Sequence, residues 1–415
     1  MEFIKPKPNK KQLAFLDWEF GAFFHFGIRT FYEGHRDWDM EVMRKEAFNP
    51  SELDCRQWIR TIKEAGAKYA ILVTKHHDGF ANWPSKYTDY SVANTPWRGG
   101  KGDVVSDFVA ACREFDIKVG LYYSPAEFSM KQEKKRPKEY DDYFINQIGE
   151  LLTHYGDIDY LWFDGCGSED YKYDNERIIK EIRGMQPNMA IFNMWDPDVR
   201  WVGNENGVAP SPCFNTVKDL DFSIQTDKKD ELKKEVFLPA ECDFKMRKNN
   251  WFYSDQDEDT VKSLEELMGL YYYSVGRGAN LLINIGPDRR GLLPEKDANR
   301  LLEFGNEVRS RFSNPIVEKN SFSKVDNKYI CKFKNPTLLN HLVIKENLIN
   351  GEAVRSFNVI VTPYPDHPIV VYRGQNIGHK AICYFPTINA VEVMVEIKEY
   401  DIDYEIDDIK LFCCN

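Results

Sequence analysis

No stretch of this 415-residue chain approaches the roughly 18 apolar residues that a membrane span needs. The N-terminus, Met1-Glu-Phe-Ile-Lys-Pro-Lys-Pro8, lacks the basic start and apolar run of a leader. The expected location is therefore the cytoplasm, or outside the cell if a leader was removed ahead of residue 1. Clustered positive charge is also missing. The formal net charge is −11, and the one lysine-rich stretch, Lys131 to Lys138, is broken by Glu133 and Pro137. Nucleic acid and anionic membranes both need clustered Lys and Arg, so neither is expected as a partner. The nine cysteines are scattered, odd in number and without a CxxC pair. Reduced thiols fit that pattern better than a disulfide framework. No GxGxxG follows the first candidate strand, which weighs against a doubly wound dinucleotide fold. Repeats and low-complexity tracts are absent as well.

Apolar and aromatic residues, by contrast, are plentiful: 42% of the chain is hydrophobic and 14% aromatic. The length exceeds one ordinary core of about 100–200 residues and suits a large barrel followed by a small domain. Residues 20–312 alternate strand-like and helix-like segments. The strand candidates are Phe20–Phe26, Tyr69–Thr74, Lys118–Tyr123, Ile158–Phe163, Asn188–Asn193, Glu235–Ala240 and Asn280–Ile285. Helical spacing of apolar residues marks Pro50–Glu64, Asp103–Phe115 (with Asp103 as cap), Tyr140–Tyr155 and Leu264–Val275. Near-continuous apolar strands separated by helices imply a parallel sheet covered on both faces. A (β/α)8-like barrel over residues 1–315 is the economical solution, although only seven strands are countable. After Pro315 short alternating runs such as Lys328–Phe333, Phe357–Val361 and Ala390–Val395 take over. They predict a small antiparallel β-sandwich over residues 316–415.

Barrel active sites lie at the C-terminal ends of the strands, so the sequence can be sorted by strand tip. His25 ends the first strand, His76 and His77 the second, and Tyr122, Tyr123 and Ser124 the third. Trp162 and Asp164 end the fourth, Asn193 and Trp195 the fifth, and Glu241 and Asp243 follow the sixth candidate. A lone histidine is most often a hydrogen-bonded core residue, and a lone Asp-Gly is most often a turn. Six polar or aromatic tips on one rim are harder to dismiss.

Two chemistries suit such a rim. Glycosidic hydrolysis needs one ionised and one protonated carboxyl. Asp164 is the best candidate for the first. Glu205, in the loop Arg200-Trp-Val-Gly-Asn-Glu205, competes with Glu241 and Asp243 for the second, and apolar company such as Trp201 would raise the pKa of a loop acid. Metal-assisted hydrolysis could use His25, His76, His77 and Asp164. Against it, no His-x-His follows the first strand, and adjacent histidines point to opposite sides of an extended strand. On the residues alone both chemistries stay open.

The chain resembles the glycoside hydrolase family 29 α-L-fucosidases. The resemblance rests on Phe20-Gly-Ala-Phe-Phe-His-Phe-Gly27, Ala67 to Phe80 with its Thr-Lys-His-His-Asp-Gly-Phe, and Trp83-Pro-Ser85. It continues through Gly120-Leu-Tyr-Tyr-Ser-Pro125, Leu161-Trp-Phe-Asp-Gly165, Glu241-Cys-Asp243, Trp251-Phe-Tyr253, Ser274-Val-Gly-Arg277 and Leu281-Leu-Ile-Asn284. These stretches span nearly the whole barrel. The resemblance implies a retaining, metal-free exo-α-L-fucosidase acting on a fucosylated oligosaccharide, with Asp164 as nucleophile. It implies that His25, His76, His77, Tyr123 and Trp162 bind the fucose ring. Trp38 resembles the tryptophan of a family Glu-Trp pair, with Asp37 here in place of Glu, one methylene shorter. Arg200 is similar to a family arginine near the nucleophile. The Arg200–Glu205 loop resembles the branch acting on α-1,3 and α-1,4 linkages, which makes Glu205 the acid/base and sets Glu241 and Trp251 on the aglycone side. The stretch Gly378-His-Lys380 to Phe385 resembles galactose-binding-like domains.

Overall fold

Eight parallel strands form one sheet that curls almost into a closed ring. The structure, a computed structural model, describes residues 5–34, 39–128, 137–168, 171–220, 230–401 and 403–414. In chain order the strands of this part are β1 (Phe20–Phe24), β2 (Tyr69–Lys75), β3 (Lys118–Tyr123), β4 (Tyr160–Phe163), β5 (Ala190–Phe192) and β6 (Arg200–Trp201). They continue with β7 (Thr216–Leu220), β8 (Asp230–Phe237), β9 (Ala240–Lys245) and β10 (Asn280–Asn284). The ring runs β5-β4-β3-β2-β1-β10-β9-β6, and a parallel bridge between Phe192 and Val199 joins its two edges. β7 and β8 stand outside as an antiparallel hairpin.

Two details correct the sequence reading. The eighth strand is β6, only two residues long and reached from β5 without an intervening helix, so it leaves no periodic signal. The sixth candidate, Glu235–Ala240, is divided between two sheets. Its first part belongs to the β8 arm of the hairpin, and the barrel strand starts afresh at Ala240. Pro239 lies at the division, where a residue without an N–H cannot continue a ladder.

Local chemistry explains the helices. The Asp54 side chain accepts from the Gln57 amide to start Cys55–Ala65, whose buried face carries Trp58, Ile59 and Ile62. Asp103 does the same for Ser106 at the head of Val104–Glu114, as its position predicts. Ser263 and Glu266 form a capping box on Leu264–Tyr273. A helix the sequence reading passed over, Lys10–Trp18, presses Phe15 against Tyr69 and Tyr160 inside the ring. Gly21 on β1 is needed for this interior, because a Cβ there would lie 2.5 Å from the Tyr69 ring.

Beyond the helix Glu295–Phe312 come β11 (Ser323–Val325), β12 (Lys328–Glu346), β13 (Val354–Thr362), β14 (Ile369–Gly374), β15 (Ala381–Tyr400) and β16 (Ile406–Phe412). All pair antiparallel, in the order β11-β12-β15-β13-β14, with β16 on β12. The pairing of β12 with β15 shifts register between Lys332 and Thr337 and between Leu339 and His341. Pro336 and Pro386 fall at these irregularities, where a missing donor does no harm. The sheet meets the barrel's lower end, where Lys345 and Lys380 pair with Glu19 and a Tyr272 hydroxyl meets His341 Nε2 at 2.7 Å.

Candidate active site

Alternation along each strand decides which side chains enter the barrel and which enter the helix layer. On β3, Tyr122 faces inward and Tyr123 outward. The Tyr122 hydroxyl donates to Asp164 Oδ2 at 2.9 Å. The Tyr123 hydroxyl donates instead to Gln147 on the helix Pro137–His154, with the Lys75 ammonium 4.2 Å from its ring centroid. The expectation that Tyr123 lines the sugar site is thus corrected to Tyr122. The same parity acts on β6. Trp201 turns inward and Arg200 outward, where its guanidinium reaches the Phe214 carbonyl at 3.1 Å and the Cys213 sulfur at 3.6 Å. The expectation that Arg200 lies near Asp164 is therefore also corrected.

Asp164 stands one residue beyond β4, its side chain 26% exposed among buried neighbours. Besides Tyr122, the Cys166 amide donates to its Oδ1 at 2.9 Å, so both oxygens are held. His77 Nε2 lies 3.5 Å from Oδ2. The Ser124 hydroxyl donates to the Ala126 carbonyl at 2.6 Å, which leaves it to accept from His77 Nδ1, also at 2.6 Å. That chain fixes the imidazole's orientation and aims its other nitrogen at the carboxylate.

The remaining walls are aromatic. Trp162 stacks between Tyr122 and Phe192, with ring centroids 5.3 and 4.1 Å away. His76 lies parallel to Tyr122 at 5.7 Å, and 4.3 Å from His77. His25 is 5.8 Å from His76 and 5.0 Å from Trp251. Its Nδ1 meets Asn284 Oδ1 at 2.7 Å, while Asn284 Nδ2 donates to the Trp251 carbonyl. Burial drives the His25 pKa down to about 3, against the Asn284 hydrogen bond. His25 is therefore neutral at ordinary pH and able to exchange hydrogen bonds with hydroxyls. Sequence reasoning passed over Asn284 as a site residue, although a polar residue ending an apolar strand is the same signal that singled out His25.

Glu205 is exposed on the loop after β6. The loop is stitched to β9. The Val202 amide donates to the Glu241 carbonyl at 3.0 Å and the Gly207 amide to the Asp243 carbonyl at 3.1 Å. Gly207 has φ of 72°, and a Cβ there would lie 2.7 Å from the Phe244 ring, so only glycine lets the loop lie this close. Asp243 accepts from Trp201 Nε1 at 2.7 Å. Burial lifts the Asp243 carboxyl well above the usual range, opposed by that hydrogen bond and reinforced by the nearby charges of Glu205 and Glu241.

Glu241 is not on the aglycone side. Its residue is fully buried inside the barrel, below Trp162. It accepts from Tyr69 at 2.6 Å, Trp162 Nε1 at 2.8 Å and Tyr160 at 3.2 Å. Burial raises its pKa to about 7 despite those three donors. The starting residue of β9 explains the change: Glu241 is the strand's second residue rather than its tip. Asp37 and Trp38 lie outside the described residues. Among the described residues no three His, Cys, Asp or Glu side chains converge in a way that could hold a metal ion.

A rim of imidazoles and indoles around a carboxylate at the mouth of a parallel barrel defines a sugar-hydrolase type of site. The α-L-fucosidase family model matches residues 5–310, and the chain belongs to that family, glycoside hydrolase family 29. Among its relatives is the Arabidopsis thaliana protein named α-L-fucosidase 1, 36% identical over 76% of this chain. The chain spans only 63% of the length of that plant protein. Solved structures match more completely. SpGH29 is 30% identical with a TM-score of 0.90, and covers 99% of both chains. A glycoside hydrolase 29 family member from an unknown rumen bacterium is 32% identical with a TM-score of 0.88, over 99% of this chain and 78% of its own.

Proposed function

We propose that the protein is a retaining exo-α-L-fucosidase that releases terminal L-fucose from α-1,3- or α-1,4-linked positions of fucosylated oligosaccharides. The observation that carries this reading is the setting of Asp164, held by Tyr122 and the Cys166 amide at a rim walled by His25, His76, His77 and Trp162. One oxygen caps the local turn through the Cys166 amide, while the other, held by Tyr122, is oriented for attack. Asp164 attacks the anomeric carbon while Glu205 protonates the departing glycosidic oxygen. A β-linked fucosyl-enzyme results. Glu205 then takes a proton from water, which attacks the same carbon and releases α-L-fucose. The imidazoles orient the hydroxyls, and Trp162 and Trp251 present apolar faces to the ring. The linkage preference rests on the resemblance of the Arg200–Glu205 loop.

Azide separates the two carboxyl roles. With Asp164→Gly and an activated α-aryl fucoside, azide should restore turnover and give the β-fucosyl azide. With Glu205→Ala it should intercept the fucosyl-enzyme and give the α-anomer. An Asp164→Gly protein that keeps full activity overturns the nucleophile. A β product from Glu205→Ala overturns the acid/base. For linkage, a branched Lewis-type oligosaccharide should be cleaved far faster than a small aryl fucoside, and the reverse order overturns that assignment.

A further inference from the structure

β9 sends two carboxyls into the barrel, Glu241 and Asp243, two residues apart and hence on one face. Each accepts an indole N–H: Glu241 from Trp162 at 2.8 Å, Asp243 from Trp201 at 2.7 Å. Trp162 lies two residues before Asp164, and Trp201 lies four before Glu205. Both acceptors are buried, Glu241 fully and Asp243 to 4% exposure. The β9 backbone adds the Val202 and Gly207 bonds that bracket the Glu205 loop on either side. We propose that β9 is the common ruler of the catalytic pair, with Glu241 positioning Asp164 through Trp162 and Asp243 positioning Glu205 through Trp201. This rests on the assignment of Asp164 and Glu205 above.

The physical case is one of leverage. Glu205 sits on an exposed loop, and a loop carboxyl acts as a proton donor only if its reach to the leaving oxygen is fixed. At the root of that loop the Trp201 indole N–H ties it to the barrel wall, where the buried Asp243 carboxyl accepts it. Asp164 needs less help, because Tyr122 and Cys166 already hold it. Glu241 instead keeps Trp162 flat between Tyr122 and Phe192, and so fixes the Tyr122 ring whose hydroxyl bonds Asp164. Neither carboxyl on β9 touches the reacting atoms; both are positioning residues.

The two arms predict different signatures. Asp243 acts through the acid, so its loss matters only where the leaving group needs a proton. Glu241 acts through the nucleophile side, so its loss matters for every leaving group. The test compares Trp201→Phe, Asp243→Ala, Asp243→Asn and Glu241→Gln on fucosides whose leaving groups range from an alkyl alcohol to a strongly acidic phenol, reading the first turnover by rapid mixing. Trp201→Phe and Asp243→Ala should slow the alkyl fucoside by roughly 10–100-fold, the scale of a misplacement of about 1 Å, and the acidic phenyl fucoside by less than about 3-fold. Asp243→Asn keeps an acceptor oxygen and should recover most of the loss. Glu241→Gln should slow both substrates by the same factor. Trp201→Phe changes only one N–H and a little volume, so it keeps the test open if Asp243→Ala folds poorly. Equal losses on both substrates for Trp201→Phe, or none, overturn the proposal. Glu205→Ala is run in the same series. If it shows no leaving-group dependence, the acid/base assignment fails and not the β9 coupling alone.

Discussion

The barrel lumen and the C-terminal sheet bury apolar surface in opposite styles. The lumen is lined by rings, including Phe15, Phe23, Tyr69, Tyr122, Tyr160, Trp162 and Phe192, with Glu241 and Asp243 among them. The sheet packs mainly branched aliphatics, such as Leu342, Ile344, Val359, Val393, Val395 and Ile409. Aliphatic packing contributes stability through area alone and puts no polar atom at risk. Rings with hydroxyl and indole donors need acceptors when buried, and two buried carboxyls supply them. Each such carboxyl costs desolvation that its hydrogen bonds only partly offset, as the raised Glu241 pKa of about 7 shows. The lumen thus gives up stability to fix the orientation of its rings, whereas the buried carboxyl at the end of β12, Glu346, accepts from the Ala353 and Val354 amides.

If this contrast is sound, function and stability separate by region. The largest effect should come from Asp164→Ala, which removes on the order of 10⁴-fold or more of kcat while leaving the denaturation midpoint nearly unchanged, since the group is partly exposed. A matching loss of stability would mean that Asp164 is a structural cap. Glu205→Ala should follow, at about 10²–10⁴-fold on a poor leaving group. The converse experiment is Phe357→Ala in the sheet. Phe357 is 1% exposed and fits over Gly374, where any Cβ would strike its ring. Urea denaturation should show a loss of about 3–5 kcal/mol, with turnover per folded molecule unchanged. Turnover that falls in step with stability would join the two regions into one functional unit.

The sequence shows what repeats and hides what does not. Long apolar strands punctuated by capped helices reveal the barrel, because burial on both faces leaves a continuous hydrophobic run. β6 was invisible, since two residues carry no period. β9 was misplaced because Val236, Phe237 and Leu238 are as apolar as any barrel strand, and only Pro239 marks the break. Histidines at strand tips stood out through their chemistry. The choice between Tyr122 and Tyr123 turned on strand parity, which two adjacent identical residues cannot disclose. The error over Arg200 has the same origin, one residue of phase on a strand the sequence did not reveal. Glu241 was recognised as important but read as a rim residue, because its depth depends on where β9 begins. Glu205 lies on an exposed loop after β6, and nothing in the sequence pointed to the backbone ties between that loop and β9.

The smallest expected effect probes the buried acid of the lumen directly. Glu241 holds its proton up to about pH 7 when folded, but gives it up near pH 4.5 when the chain unfolds. Between those values the folded state binds more protons than the unfolded state, so stability falls as pH rises, by up to about 1.4 kcal/mol per pH unit. The contribution is therefore fullest below pH 4.5, declines through the window, and levels off above about 7. Glu346, the last residue of β12, also has a pKa raised to about 7, by burial and by Glu352, and adds a slope of the same sign. Its partners are the Ala353 and Val354 amides rather than an indole. Glu241→Gln should thus remove one share of the slope and Glu346→Gln another, so that each variant gains on the wild type as melting is followed from pH 5 to pH 8. Only Glu241→Gln should also slow turnover, because only its acceptor oxygens orient a ring in the site. Melting curves of Glu241→Gln that run parallel to wild type across that range would show that the lumen carboxyl is ionised throughout, and would remove the desolvation cost from which the contrast between barrel and sheet was drawn.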